Sequence, residues 1–222
     1  MKLPARFTLL ALLTFVVAMS LAAAVYPGGS WTARESEGFS LVRNFWCDLL
    51  RSRAINGSDN ASGKVLASLA FAALGAGLWP YWWLAAAVLP GARRATVVRM
   101  GMLSAASLAA MALLPSDDYP LPHGLVALAG GLLGVASAAV CVATSLPGEP
   151  RASLRRLSGA CALGFACLNA ALYVHVAFGP GEETIAQPVV QKLATAALLA
   201  WMLSTVREAR ARGASAPHVL GT

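Results

Sequence analysis

Charged residues are spaced so widely in this chain that they leave six long uncharged windows. Arg6 to Arg34 encloses 27 residues without charge, Lys64 to Arg93 encloses 28, and Arg99 to Asp117 encloses 17. Asp118 to Glu149 encloses 30, Arg156 to Glu182 encloses 25, and Lys192 to Arg207 encloses 14. A membrane helix needs about 20 predominantly apolar residues. The last window reaches that length from Pro188 if the Lys192 ammonium snorkels to the interface. The windows predict six spans, near 5–26, 65–89, 96–114, 123–145, 157–178 and 188–206. Hydrocarbon cannot solvate N–H or C=O groups, so a span is a helix or part of a closed barrel. Nothing here alternates as a barrel strand would. The expected fold is all-α: a six-helix transmembrane bundle over residues 1–206, with a tail over 207–222.

Composition agrees. Of the 222 residues, 58% are apolar and 12% charged, against about 25% charged in ordinary soluble domains. A disulfide scaffold, a coiled coil, a disordered chain and a typical soluble enzyme are excluded. The net charge of +7 does not point to nucleic acid, because the basic residues are split among short segments. Their positions instead set orientation. Lys2 and Arg6 precede span 1; Arg93, Arg94 and Arg99 lie between spans 2 and 3. Arg151, Arg155 and Arg156 lie between spans 4 and 5, and Arg207, Arg210 and Arg212 follow span 6. The connections 116–122 and 179–187 hold Asp117, Asp118, Glu182 and Glu183 and no basic residue. Both termini are therefore expected in the cytoplasm, with 11 of the 17 basic residues. Span 1, with about 20 apolar residues, is longer than a signal-peptide core and is read as retained. Ala-rich, Arg-over-Lys usage suggests a high-GC bacterium, and helical spans then place the chain in its inner membrane.

Residues 27–63 form the one long connection, and long ordered connections tend to carry function. It opens with the turn signal Tyr26-Pro27-Gly28-Gly29-Ser30 and closes with a polar linker, Asn56–Gly63, expected to move. Between them, Phe39, Leu41, Val42, Phe45, Trp46, Leu49 and Leu50 fall on one half of a helical wheel. Ser40, Arg43, Asn44, Cys47, Asp48 and Arg51 fall on the other. That separation predicts an amphipathic helix over 39–51, lying at the outer interface or across the bundle mouth.

Ionisable groups cluster toward the same side: Asp48, Asp117, Asp118, His123, His175, Glu182, Glu183 and Lys192. Such groups at membrane depth usually face the bundle interior or a cavity. Asn44, Asp48, Asp118, His123, His175 and Lys192 are the candidate ligand-binding set. Asp48, Asp118, His123 and His175 offer the oxygens and nitrogens of a zinc site with an open position. Asp48, His123 and His175 would then be the catalytic candidates of a metal-dependent hydrolase. Intramembrane hydrolases of the alkaline-ceramidase and progestin-receptor type use a related set, but with an HxxxH pair that this chain lacks. The alternative is that these groups bond one another and close the mouth, with no cofactor. No GxSxG, Walker loop, HExxH or metal knuckle occurs, and the four cysteines read as packing thiols.

Small residues give the packing expectations. Gly130 and Gly134 on span 4, and Ser158, Ala162, Ala166 and Ala170 on span 5, predict close approach of these two helices or a homo-oligomer. Trp79, Tyr81, Trp82 and Trp83 around Pro80 read as a lipid anchor.

Six spans, the Tyr-Pro-Gly-Gly start of the first outer loop, Asn44-Phe45-Trp46-Cys47-Asp48 within it, and Leu114-Pro115 leading to His123 together resemble the DUF998 family. That family is a prokaryotic relative of the Frag1/DRAM/Sfk1 membrane proteins. Its loop motif is close to Asn-Phe-x-Ser-Asp; Cys47 stands here in place of the Ser. The resemblance maps the family's Asp onto Asp48 and its His onto His123. It implies lipid handling or membrane organisation, with membrane lipids as partners, rather than a defined reaction. A small-solute transporter is the remaining alternative, with few polar groups at the bundle centre to support it.

Overall fold

The computed structural model describes residues 2–144, 150–178 and 184–215. It contains six long helices: α1 (Lys2–Val25), α2 (Ala61–Ala85), α3 (Gly91–Met111), α4 (Pro120–Ala143), α5 (Pro150–Phe178) and α6 (Ala186–Ser215). A short antiparallel hairpin, β1 (Gly28–Ser30) and β2 (Ala33–Glu37), and a 3₁₀ turn (Trp46–Leu50) lie between α1 and α2.

Five helices are long and apolar enough to cross a membrane: α1, α2, α4, α5 and α6. Their outer surfaces are as greasy as their inner ones: Leu10 is 64% exposed and Leu13 61% on α1. A helix apolar all round belongs in lipid or deep in a core, and these side chains are at the surface. The chain is a multi-pass integral membrane protein. α3 falls short of the same standard because Arg93, Arg94 and Arg99 load its first three turns.

The helices run back and forth, α1 on α2, α2 on α3, α3 on α4, and α5 on α6, with α6 returning to α1 and α2. The core centres on α2, where Leu74, Leu78, Tyr81 and Trp82 are buried. Close approach is bought by small residues. A Cβ on Gly77 would lie 2.5 Å from Ala11 Cβ, and one on Gly101 would lie 2.3 Å from the Trp82 ring. The Thr8 hydroxyl also donates to the Gly77 carbonyl at 3.3 Å, tying α1 to α2.

Helices α4 and α5 do meet, with Gly159 against Val142 and Gly124 against Tyr173, but the Gly130–Gly134 step of α4 faces α3. Gly130 and Gly134 pack against Ser104 and Ser107 of α3, and Ser104 Oγ donates to Gly130 O at 2.6 Å. On α5, Ser158 Oγ pairs with Ser204 Oγ of α6 at 3.0 Å, and Gly159 makes room for Trp201. The sequence marks these faces as close-packing but cannot say with which neighbour. The aromatic run around Pro80 also divides. Trp79 and Trp83 are exposed, as lipid anchors should be, whereas Tyr81 and Trp82 are core residues. Cys141 is buried, while Cys161 and Cys167 are exposed on α5. Helix α6 continues past residue 206 with Val206 and Ala209 buried, so no tail separates at that point.

Candidate functional site

The 27–60 connection folds into an ordered cap over one end of the bundle. Gly28 and Gly29 explain its opening motif. Both have positive φ (144° and 83°), and a Cβ on Gly29 would lie 2.4 Å from the Asn56 nitrogen. Only glycine permits that backbone and that contact. β1 then turns through Trp31-Thr32 into β2, with Ser30 paired to Ala33.

The predicted amphipathic helix over 39–51 does not form; only Trp46–Leu50 is helical, as a 3₁₀ turn. Local side chains take the backbone groups a helix would need. Asn44 Oδ1 accepts from Ser40 N at 2.9 Å, Ser40 Oγ accepts from Arg43 N at 3.3 Å, and Asp48 Oδ2 accepts from Phe45 N at 2.8 Å. The apolar residues consequently part company: Leu49 and Leu50 are buried, but Leu41 and Val42 are exposed. The 56–63 linker is also pinned. Asn60, 2% exposed, donates to Leu49 O at 3.2 Å and Arg51 O at 2.9 Å.

Asn44 and Asp48 form the centre of the cap, 0% and 2% exposed. Asn44 Nδ2 donates to Gly29 O at 2.7 Å and to Asp48 Oδ2 at 3.1 Å. Trp31 Nε1 donates to Asp48 Oδ1 at 3.3 Å. Burial pushes the Asp48 pKa above its ordinary value, against the opposing pull of Asn44, Phe45 N–H, Trp31 and Arg51. The Cys47 thiol beside it is pushed up to about 12 by burial and then by the Asp48 charge. Burial likewise raises the Tyr26 hydroxyl to about 12, although it accepts the Ile55 N–H at 3.1 Å.

Two clamps hold the cap to the bundle. In the first, Lys192 of α6 donates to the Asn44 carbonyl and, at 3.2 Å, to Pro188 O. Its ammonium lies 5.0 Å from the Trp46 ring and 5.5 Å from the Phe39 ring, which are stacked at 9°. Ring faces attract a cation within about 6 Å. The preceding residue, Gln191, accepts from Trp46 N through its Oε1 at 2.8 Å. In the second clamp, Ser52 Oγ donates to Asp118 and Arg53 N to Asp117, at 2.8 and 3.0 Å. Lys64 adds a bond to Ser52 at 2.8 Å and lies 3.9 Å from Asp118. Burial works to raise the Asp117 pKa, but the N–H groups of Arg53 and Ser52 outweigh it and hold the carboxyl below its usual value.

The two histidines stand apart from this network. His123 is buried and its Nδ1 pairs with Leu114 O at 2.6 Å, fixing the start of α4 to the preceding turn. His175 is exposed on α5. Asp48, Asp118, His123 and His175 are thus not gathered into one ligand set. Among the described residues no three His, Cys, Asp or Glu side chains are placed to share a metal ion. Glu182, Glu183 and His218 lie outside the described residues. Lys192, Gln191, Asp117 and Asp118 link the loop to the bundle, whereas Asp48 bonds within the loop and His123 to the turn before its own helix. Trp31, Gln191 and the Phe39–Trp46 ring pair escaped sequence reasoning. Gln191, polar within an apolar span beside Lys192, was the available signal.

The cavity beside the cap, between Trp31, Arg43 and the first turn of α6, measures about 70 Å³. That is far below the ~300–1,000 Å³ of a small-molecule site. At the other end of the bundle, a wide groove between Leu3, Phe7, Trp79 and Pro80 has an apolar lining among the described residues.

A different polar feature lies at that far end. Arg155 of α5 and Glu208 of α6 form an ion pair at 2.8 Å with side chains 7% and 6% exposed. Tyr81, Trp82 and Trp201 meet edge to face nearby, with centroids 5.4 to 6.1 Å apart.

No protein-family model, curated protein or solved structure matches the chain.

Proposed function

We propose that this is a non-enzymatic, lipid-interacting or membrane-organising protein of a bacterial inner membrane, with both termini in the cytoplasm and the cap on the outside. One observation carries the reading. The ionisable groups of the cap are engaged in closing it: Asp48 accepts three hydrogen bonds from Trp31, Asn44 and Phe45, and Lys192 is held by carbonyls and ring faces. A catalytic acid or base needs an open approach to substrate, and the adjoining cavity is too small for one.

In this reading all six helices cross. What supports the sixth crossing is the course of α3 alongside α2. Ser68 near the start of α2 bonds to Ala112 at 3.1 Å, and Trp82 near its end packs on Gly101. Arg94 sits over the Trp83 ring at 5.9 Å, where arginine and tryptophan mark a membrane edge. The DUF998 resemblance belongs to the same proposal. Its two loop-motif residues, Asn44 and Asp48, are the two that are buried against each other.

Lipid mass spectrometry of the detergent-purified protein tests the reading. Retained phospholipid at defined stoichiometry is expected. Stoichiometric zinc that disappears in His123→Ala would overturn it in favour of a hydrolase. A fluorescent protein fused after Thr222 should fold and emit in the cytoplasm; a signal only from a periplasmic reporter would invert the threading.

A further inference from the structure

We propose that the small cavity between the hairpin tip and the first turn of α6 holds the phosphate of a phospholipid headgroup. This rests on the lipid-interacting reading above and gives that lipid a binding site. Four features converge there. Gln187 is 8% exposed and lines the cavity, yet among the described residues nothing hydrogen-bonds its carboxamide. The residue is enclosed while its carboxamide stays open to the cavity, free to bond a polar group that enters it. Among the described residues, Arg43 is the one charged group on the lining and forms no ion pair. Guanidinium and phosphate are matched in geometry as well as charge. Thr184 Oγ1 accepts the Ala186 N–H at 3.3 Å, leaving its own hydrogen to donate. Finally, Gln187 and Pro188 belong to the first turn of a long helix, whose positive end favours an anion.

Depth and size choose the lipid over a free ion. Helix α5 runs to Phe178 and α6 begins at Ala186, so Val176 and Gln187 place the cavity close to the ends of both spans, at the level of the headgroup layer. Val174 and Ile185, exposed at the same level, offer an apolar surface to the acyl chains. At about 70 Å³ the cavity takes one small polar group and not a whole headgroup, as expected for a phosphate whose tails remain in the bilayer.

Native mass spectrometry of the full chain in detergent provides the test, with dioleoylphosphatidylglycerol, dioleoylglycerol or sodium phosphate as added probe. The phospholipid should bind at one site per chain. Gln187→Leu and Arg43→Ala should each weaken it roughly tenfold, the loss expected for one charge-assisted hydrogen bond. Arg94→Ala, at the far end, should bind like the parent. Dioleoylglycerol binding as tightly as phospholipid would overturn the phosphate site while sparing the broader lipid reading. Failure of both lipids to bind would sink the broader reading itself. Sodium phosphate competing at millimolar concentration in the absence of lipid preference would show a free-anion site instead. Because Arg43 is exposed, Arg43→Ala keeps the test decisive even if Gln187→Leu does not fold; parental affinity in Arg43→Ala would refute the site.

Discussion

The two ends of the bundle each hold a cation close to apolar surroundings, and they hold it by different means. At the cap, Lys192 is met by the carbonyls of Asn44 and Pro188 and by two ring faces. At the far end, Arg155 is met by the carboxylate of Glu208, with aromatic rings packed around the pair. The first arrangement joins α6 to a loop 148 residues earlier in the chain. The second joins two neighbouring helices. Dipoles and ring faces suffice near a wet interface, where the ammonium is still partly solvated. A side chain as enclosed as Arg155 needs a full counter-charge.

Breaking the far-end pair should have the largest effect. Glu208→Ala leaves the Arg155 guanidinium buried without its carboxylate and should cost about 3–5 kcal/mol. Replacing both, as Arg155→Met with Glu208→Leu, should recover most of that loss. Reversible unfolding in mixed micelles, followed by tryptophan emission from Trp82 and Trp201, reads both. A single variant as stable as the parent would show that the pair is solvated.

The cap should yield less readily to one substitution, because its charges are shared among several partners. Asp48→Ala strips the acceptor from Trp31, Asn44 and Phe45 N–H and should cost about 2–3 kcal/mol. Its signature is local: Cys47, now half-buried with a suppressed thiolate, should become reactive. Maleimide labelling in a background lacking Cys141, Cys161 and Cys167 measures that opening. Unchanged labelling would mean that the cap is held by its clamps to the bundle alone.

Packing along α3 and α4 gives a third contrast. Gly101→Ala pushes a methyl into the Trp82 ring and should destabilise by about 1–3 kcal/mol. Gly131→Ala meets open space and should gain up to about 1 kcal/mol of helix propensity. Equal effects of the two in the same unfolding assay would contradict the α2–α3 contact.

The smallest effect is the pH dependence of the cap, where two carboxyls pull in opposite directions. Asp48 has a raised pKa in the folded cap, so folding favours its protonated form. Its contribution grows as pH falls from that raised value toward the ordinary 3.8 and is lost as pH rises back through it. Asp117 has a lowered pKa; its contribution is present above 3.8 and is lost as pH falls through the folded value beneath that. Cap tryptophan emission should therefore show tightening on mild acidification, absent in Asp48→Asn. Loosening should follow only below the usual carboxylate range, and Asp117→Asn should abolish it.

The cap also shows where reading the sequence stops. The separation of apolar and polar residues over 39–51 is real, but a periodic pattern states only what a helix would bury if one formed. Ser40, Asn44 and Asp48 carry side chains that bind nearby backbone, and here they win. Lys192 was legible as an anomaly because a charge within an apolar run is costly. Its partners were not, since the Asn44 carbonyl and the Phe39 and Trp46 rings carry no mark in sequence of where they will be. Asp48 and His123 stand together in the sequence as candidate ligands, yet in the fold Asp48 is enclosed by its own loop and His123 serves its own helix end.

Membrane residence, the number of long helices and their approximate limits followed from the sequence alone, because solvent preference accumulates residue by residue along a segment. Neighbour choice did not. In lipid both faces of a helix are apolar, so no amphipathic stripe says which face turns inward, and Gly130 and Gly134 could have met α5 as readily as α3. Tertiary structure made that choice, and it also brought Arg155 to Glu208 and Lys192 to the cap. Each of those contacts depends on the simultaneous placement of distant segments, a property of the packed bundle that no local stretch of chain contains.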